Sequence, residues 1–172
     1  MDAISRREYV LDAISNQTKP VSASLLAKNL NVSRQVIVGD VALLRAAGHE
    51  IIATARGYMI PGANDANKFF GKIACQHTPE KTKDELYTIV DLGATVINVI
   101  VEHGFYGEIT GCLNLTNRKD VDAFMNKVNS SEIKLLSELT MGIHLHTIAC
   151  RNKNHFDEVY QVLESGGYLY RN

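Results

Sequence analysis

His144 and His146 occupy positions i and i+2 of the run Ile143-His144-Leu145-His146-Thr147. On a β-strand that spacing sends both imidazoles to one face, opposite Ile143, Leu145 and Thr147. Neutral imidazole nitrogens together with a carboxylate are the usual ligands of zinc, nickel and similar divalent ions, and a stable site needs three protein ligands or more. Two other residues qualify. His77 ends a β-prone run that starts at Ile73, and Glu85 falls in the first turn of the helix that follows, so both are expected near one end of the sheet. Other uses stay open: a His-x-His pair can lie on a solvated strand face or be satisfied within a core, and Glu85 also completes a Thr82-x-x-Glu85 capping box. Cys75 shares a strand face with His77, and Cys150 with His146. Either thiol is a substitute ligand or, more simply, a small core residue.

His103 precedes Gly104-Phe105-Tyr106-Gly107, a glycine-flanked aromatic turn. Phe105 and Tyr106 are the residues that could wall a small-molecule pocket beside His103, although a hairpin with buried aromatics explains the same pattern.

A different chemistry is written in the first 60 residues. Ser33-Arg34-Gln35-Val36-Ile37-Val38-Gly39 begins a helix, and in a helix-turn-helix this is the segment that meets base edges in the major groove. Arg34 suits guanine or a phosphate, Gln35 adenine, Val38 a thymine methyl, and Ser33, at the helix start, a phosphate. Arg56, in a later hairpin turn, suits the neighbouring groove or backbone. Asp40, on the same helix, does not suit DNA and is expected to face another helix. The alternative is a small helical bundle that binds a protein, its polar residues merely solvated.

The elements that must position these residues follow from periodicity. A first helix over Ser5–Ser15 groups Tyr9, Val10, Ala13 and Ile14; Ser22 caps a second helix carrying Leu25, Leu26 and Leu30; Asn31-Val32 turns the chain; Ser33 caps a third with Ile37, Val41 and Leu44, ended by Gly48. Ile51–Thr54 and Tyr58–Ile60 flank Ala55-Arg56-Gly57 as a hairpin. Three helices and a hairpin make a winged helix-turn-helix over residues 1–60. Residues 61–68 are rich in breakers and read as a linker. Over 69–172 strands alternate with helices: a strand at Ile73–His77, a helix from Thr82 to Gly93, strands at Val96–His103 and Glu108–Leu115, helices at Arg118–Asn129 and Ser131–Thr140, a strand at Ile143–Cys150, a helix at His155–Ser165 and a short strand at Tyr168–Tyr170. The expected fold class is α+β, with a winged helix-turn-helix followed by an α+β domain built on one sheet.

Composition agrees with a folded, soluble chain: 172 residues, 45% hydrophobic and 22% charged. The net charge is -1, but residues 1–60 carry 7 Lys and Arg against 5 Asp and Glu (net +2) and the remainder 11 against 14 (net -3). That asymmetry favours, weakly, a DNA-facing N-terminal half. Three scattered cysteines without a Cys-x-x-Cys pair indicate neither a disulfide framework nor a thiolate zinc site. No apolar run approaches a membrane span, and residues 1–10 are charged where a signal peptide is apolar, so a cytoplasmic location is expected.

Taken together, Val32-Ser33-Arg34-Gln35-Val36-Ile37, Ile51-Ile52-Ala53-Thr54, Arg56-Gly57-Tyr58, His77, Glu85, His103-x-x-Tyr106-Gly107 and Leu139-Thr140-Met141-Gly142-Ile143-His144-Leu145-His146-Thr147 resemble a known family over nearly the whole chain. It is that of the nicotinic-acid-responsive repressors of NAD biosynthesis and niacin uptake, which join a biotin-repressor-like winged helix to a three-histidine (3H) domain. The resemblance implies a dimeric repressor that binds double-stranded operator DNA with nicotinic acid as co-repressor. It also implies a divalent transition metal, nickel or zinc, on His77, Glu85, His144 and His146. Two competing readings are a metal-dependent hydrolase, in which an open metal position activates water with Glu102 or Glu108 asked to act as base, and a protein-interaction module stabilised by metal.

Overall fold

A computed structural model of the chain describes residues 1–62 and 66–171. The chain divides into two compact units between residues 65 and 66. The expected linker spans this division, and its residues 63–65 lie outside the described residues.

In the N-terminal unit, α1 (Ala3–Ser15) is capped by Asp2, whose carboxylate accepts the backbone N–H groups of Ile4 and Ser5. Helix α2 (Ala23–Leu30) is capped by Ser22 as expected, and ends at Asn31 in the left-handed conformation (φ 52°). Asparagine tolerates that region better than most residues. The reversal lets Ser33 cap α3 (Arg34–Ala46). Val10, Ile14, Leu26, Ile37, Val41, Leu44 and Ile51 form the core. Of the first two apolar stripes, Tyr9 and Leu25 turn out exposed rather than packed. Strands β1 (Ile52–Thr54) and β2 (Gly57–Met59) pair antiparallel, and Tyr58 also pairs with Val21. Gly57 is required there: its φ is 136°, and a β-carbon would collide with the Val21 carbonyl.

The C-terminal unit is a four-stranded antiparallel sheet of order β3-β6-β4-β5, with β3 Phe69–Gln76, β4 Thr95–His103, β5 Gly107–Leu115 and β6 Ile143–Cys150. Helices α4 (Thr82–Asp91), α5 (Arg118–Asn129) and α6 (Lys153–Ser165) form one layer against it, α4 lying between the other two. A short 3-10 turn, Pro79–Lys81, leads from β3 to α4. Strand β4 carries an irregularity between Val96 and Asn98 where it pairs with both neighbours.

Three expectations change. The helix read over Ser131–Thr140 is only a 3-10 segment, Leu136–Thr140, with Ile133 and Leu139 exposed. Glu138 bonds the backbone N–H of Leu135, and Met141 and Gly142 turn left-handed, which stops the segment. The final strand is a single bridge between Leu169 and Cys75. Thr82 and Glu85 do not form a capping box: Thr82 is already inside α4, and no side chain caps that helix.

Candidate functional site

The buried residues of α4 are Thr82, Glu85, Leu86, Ile89 and Val90, spaced i, i+3, i+4, i+7 and i+8. This is the stripe a helix turns toward its core, and Glu85 occupies the middle of it. Its carboxylate is thereby carried into the unit's interior instead of back to its own N-terminus. Burying a carboxylate is costly unless it is paired.

Three histidines are its partners. Oε2 of Glu85 lies 2.6 Å from Nε2 of His77, 3.4 Å from Nε2 of His144 and 3.5 Å from Nε2 of His146. All four side chains are at most 4% exposed. His144 and His146 share the helix-facing side of β6, and their rings stand 4.9 Å apart, as do those of His77 and His144. In each imidazole the other nitrogen is held by a backbone carbonyl. Nδ1 donates to the oxygen of Thr78 in His77 (2.9 Å), of Gly142 in His144 (2.8 Å) and of Asn98 in His146 (2.7 Å). These bonds place the proton on Nδ1 of the neutral ring and leave the Nε2 lone pair aimed at the carboxylate.

Lone pairs facing an anion repel unless a cation lies between them. Protons can serve. Burial alone would raise Glu85, but His146, His144 and His77 outweigh it and hold the carboxyl well below its ordinary value. Burial opposes charging His77 and His146, and the Glu85 carboxylate overrides that and raises both. A divalent metal also serves, and the donor set fits one. Bonds of about 2.0–2.2 Å put the ligand atoms of one ion roughly 3–3.5 Å apart, near the 3.4 and 3.5 Å that separate Glu85 Oε2 from His144 and His146, while His77 at 2.6 Å is at hydrogen-bond distance. Oε1 of Glu85 is buried with no hydrogen-bond partner, an unmet acceptor on the carboxylate whose other oxygen the three imidazoles face. His77, Glu85, His144 and His146 are the residues that would hold the ion.

Cys75 faces the same cluster, with its sulfur within 4.8 Å of the ligand atoms of Glu85 and His144. Burial first, then the Glu85 charge, pushes this thiol far above its ordinary value. Cys150, at the other end of β6, sits opposite Phe69 and away from the cluster. His103 lies at the end of β4, where its Nδ1 accepts the N–H groups of Phe105 and Tyr106. Phe105 is 94% and Tyr106 80% exposed, so among the described residues they do not wall a pocket. The cavity beside His77 is built elsewhere. It measures about 480 Å³ and is lined by Met141 together with Lys134 and Ser137, two residues for which the sequence offered no signal. The carbonyls of Thr78, Asn98 and Gly142 were equally silent, because a backbone acceptor has no residue type.

In the other unit Ser33 Oγ accepts the N–H of Val36 (3.3 Å), the cap that begins α3. Arg34 and Gln35 are exposed, Val38 half-buried, and Ile37, Val41 and Leu44 buried on the opposite side. Asp40 is buried against α1, where Arg6 donates to its two oxygens from Nε and Nη2 (2.6 and 3.1 Å), with Arg7 at 3.8 Å. It thus faces another helix, as expected from its charge. Arg56 sits in the β1–β2 turn, whose backbone N–H donates to Thr54 Oγ1.

Residues 70–172 match the 3H domain and residues 6–59 an HTH domain. The chain is 42% identical over 167 residues to "Transcription repressor NadR" of Bacillus subtilis (strain 168), covering 96% of this chain and 93% of that protein. It is 36% identical over 164 residues to "Probable transcription repressor NiaR" of Thermotoga maritima, covering 95% and 93%. The chain belongs to the family of transcription repressors that join an HTH domain to a 3H domain.

Proposed function

We propose that this repressor binds its operator in response to nicotinic acid and thereby regulates genes of NAD biosynthesis or niacin uptake. The relatives named as repressors support the regulatory half of that reading and set the hydrolase alternative aside. The 3H unit is the sensor. The observation that carries this assignment is the convergence of three oriented Nε2 atoms on one buried carboxylate oxygen. His77, Glu85, His144 and His146 hold a divalent transition ion, nickel or zinc, and with three neutral imidazoles and one carboxylate the bound ion keeps a net positive charge. An anionic effector leaving water gains from such a charge. The cluster is wholly buried in protein donors, and the wall it shares with the neighbouring cavity is His77.

On the DNA side Arg34, Gln35 and Val38 read base edges, while Ser33 and Arg56 reach the backbone or the adjacent groove. One winged helix reads a short half-site, so two copies act as a symmetric homodimer on a palindromic operator in the cytoplasm. No helix among the described residues is long and apolar enough to cross a membrane. A monomeric mass by light scattering, with metal and nicotinate present at micromolar protein, would refute the dimer.

The effector reading is tested by elemental analysis of the purified protein together with nicotinate titration. One divalent ion per chain and saturable nicotinate binding are expected. Absence of nicotinate binding by metal-loaded protein overturns the reading.

A further inference from the structure

Strand β4 contains the run Thr95-Val96-Ile97-Asn98-Val99-Ile100-Val101, a single amide set among β-branched residues. Asparagine is depleted in strands, so a half-buried one on a strand with neighbours on both sides has a local cause. The register shows it. Val96 pairs with Ile148 of β6 and Asn98 with Thr147, so Ile97 is one residue more than β6 matches. This is a β-bulge, which interrupts the regular ladder and re-aims the groups beside it.

The group re-aimed here is a carbonyl. In a regular antiparallel ladder the N–H of Thr147 would donate to a main-chain carbonyl of β4. It donates instead to the Asn98 side chain, Oδ1, at 2.9 Å. The main-chain oxygen of the same residue accepts the Nδ1 proton of His146 at 2.7 Å. The reason for this exchange lies in where His146 stands. His77 follows the end of β3, and Gly142 precedes the start of β6, so the acceptors of His77 and His144, the carbonyls of Thr78 and Gly142, belong to connecting segments. His146 stands inside β6, between β3 and β4, where the ladder uses main-chain acceptors. A carbonyl for its ring has to be released from the ladder, and the N–H left behind needs another acceptor, because an unpaired donor inside a sheet is costly. Asn98 meets both requirements.

We propose that Asn98 is a positioning residue of the histidine cluster: its side chain replaces its own main-chain carbonyl in the pairing of β4 with β6, and the carbonyl thus released fixes the ring of His146. The inference rests on the reading of the cluster as a metal site and adds a residue outside the ligand set on which ion affinity depends. An acceptor on the far nitrogen fixes the tautomer and orientation of a ligating imidazole. An apolar residue in place of Asn98 leaves the Thr147 N–H without the amide oxygen, so the main-chain carbonyl returns to the ladder and His146 loses its acceptor.

Two measurements on the full chain test this: zinc affinity by competition with a chromophoric chelator, and exchange protection of the His146 Nδ1 proton by NMR of the zinc-loaded protein. Asn98→Leu is expected to weaken zinc about 10- to 100-fold and to expose the Nδ1 proton of His146 while those of His77 and His144 stay protected. Asn98→Asp, which keeps an acceptor for Thr147, should restore most of the affinity and the protection, an outcome that a change in strand stability alone does not produce. If Asn98→Leu does not fold, Asn98→Ala carries the same comparison. Wild-type zinc affinity and a protected His146 proton in the folded apolar variant overturn the proposal and leave the metal reading standing, and so does a folded Asn98→Asp as impaired as that variant. A wild type that takes up no zinc overturns both.

Discussion

Gly142 lies against His77 so closely that a β-carbon at Gly142 would come within 2.5 Å of the His77 carbonyl oxygen. Its φ is 87°, which independently favours glycine, and its own carbonyl accepts the Nδ1 proton of His144. One residue therefore sets the position of two of the four proposed ligands.

Gly142→Ala is expected to cost about 1–3 kcal/mol of stability from the left-handed backbone and the displaced neighbour. By moving the partners of His77 and His144 it should also weaken metal binding about 10- to 100-fold. Thermal unfolding and a competitive chelator titration measure the two effects. Wild-type metal affinity in this variant would mean that Gly142 does not orient the cluster.

Metal and protons compete for the same Nε2 atoms, so metal removal should change the pH dependence of stability. In the metal-free protein His77 and His146 have folded values raised above 6.5, so their contribution is complete below 6.5 and is lost as pH rises through the raised values. Glu85, depressed, contributes above its unfolded value and loses that contribution only in acid. The apo protein should therefore lose stability between mildly acidic and alkaline pH, whereas metal-loaded protein should hold or gain it, because the ion replaces the protons. Melting curves of both forms across that range decide the point, and parallel curves would mean that no ion occupies the cluster.

Arg34→Ala and Gln35→Ala should each weaken operator binding by about 1–3 kcal/mol, through lost base contacts. The fold should persist, since Ile37, Val41 and Leu44 hold α3 from its other side. Gel-shift titrations at matched salt measure this. Equal affinity for wild type and the double variant would move the reading surface elsewhere.

Asp40 stands on the reading helix but is spent inside the unit, where Arg6 binds both of its oxygens. Asp40→Ala should lower the Tm of the N-terminal unit and weaken DNA binding indirectly, as the orientation of α3 relaxes, because the partly exposed Arg6 loses the buried carboxylate that ties α3 to α1. Removing Arg6 as well should recover part of the loss. A double-variant melting point no higher than that of Asp40→Ala would show that the pair does not act as one unit.

The three helices and hairpin of the first 60 residues were legible because caps, turns and apolar spacing all agree there, from Ser22 and Ser33 to Asn31 and Gly57. The common face of His144 and His146 was legible from period two alone. Glu85 was ambiguous because Thr82-x-x-Glu85 also fits a capping box, although Leu86, Ile89 and Val90 already placed it on the buried stripe. The apolar spacing of Ile133, Leu136 and Leu139 imitated a helix that a local carboxylate cap and two left-handed residues prevent. β3 starts four residues earlier than its pattern indicated. There Gly71 is not a breaker: it makes room for the ring of Phe156, which occupies the space a β-carbon would take. The cavity could not be read at all, since its walls come from segments far apart in sequence.

The central claim is that nicotinate, bound in a metal-loaded 3H unit, tightens the grip of the HTH unit on operator DNA. Its most direct test is operator affinity with and without saturating nicotinate, for the wild type and for His144→Ala/His146→Ala, at fixed salt. The account predicts that nicotinate strengthens wild-type binding by a factor that operator DNA returns in nicotinate affinity, and that the double variant loses its metal and this response together while keeping basal DNA affinity. A variant without metal that still binds nicotinate and responds to it like the wild type would contradict the account.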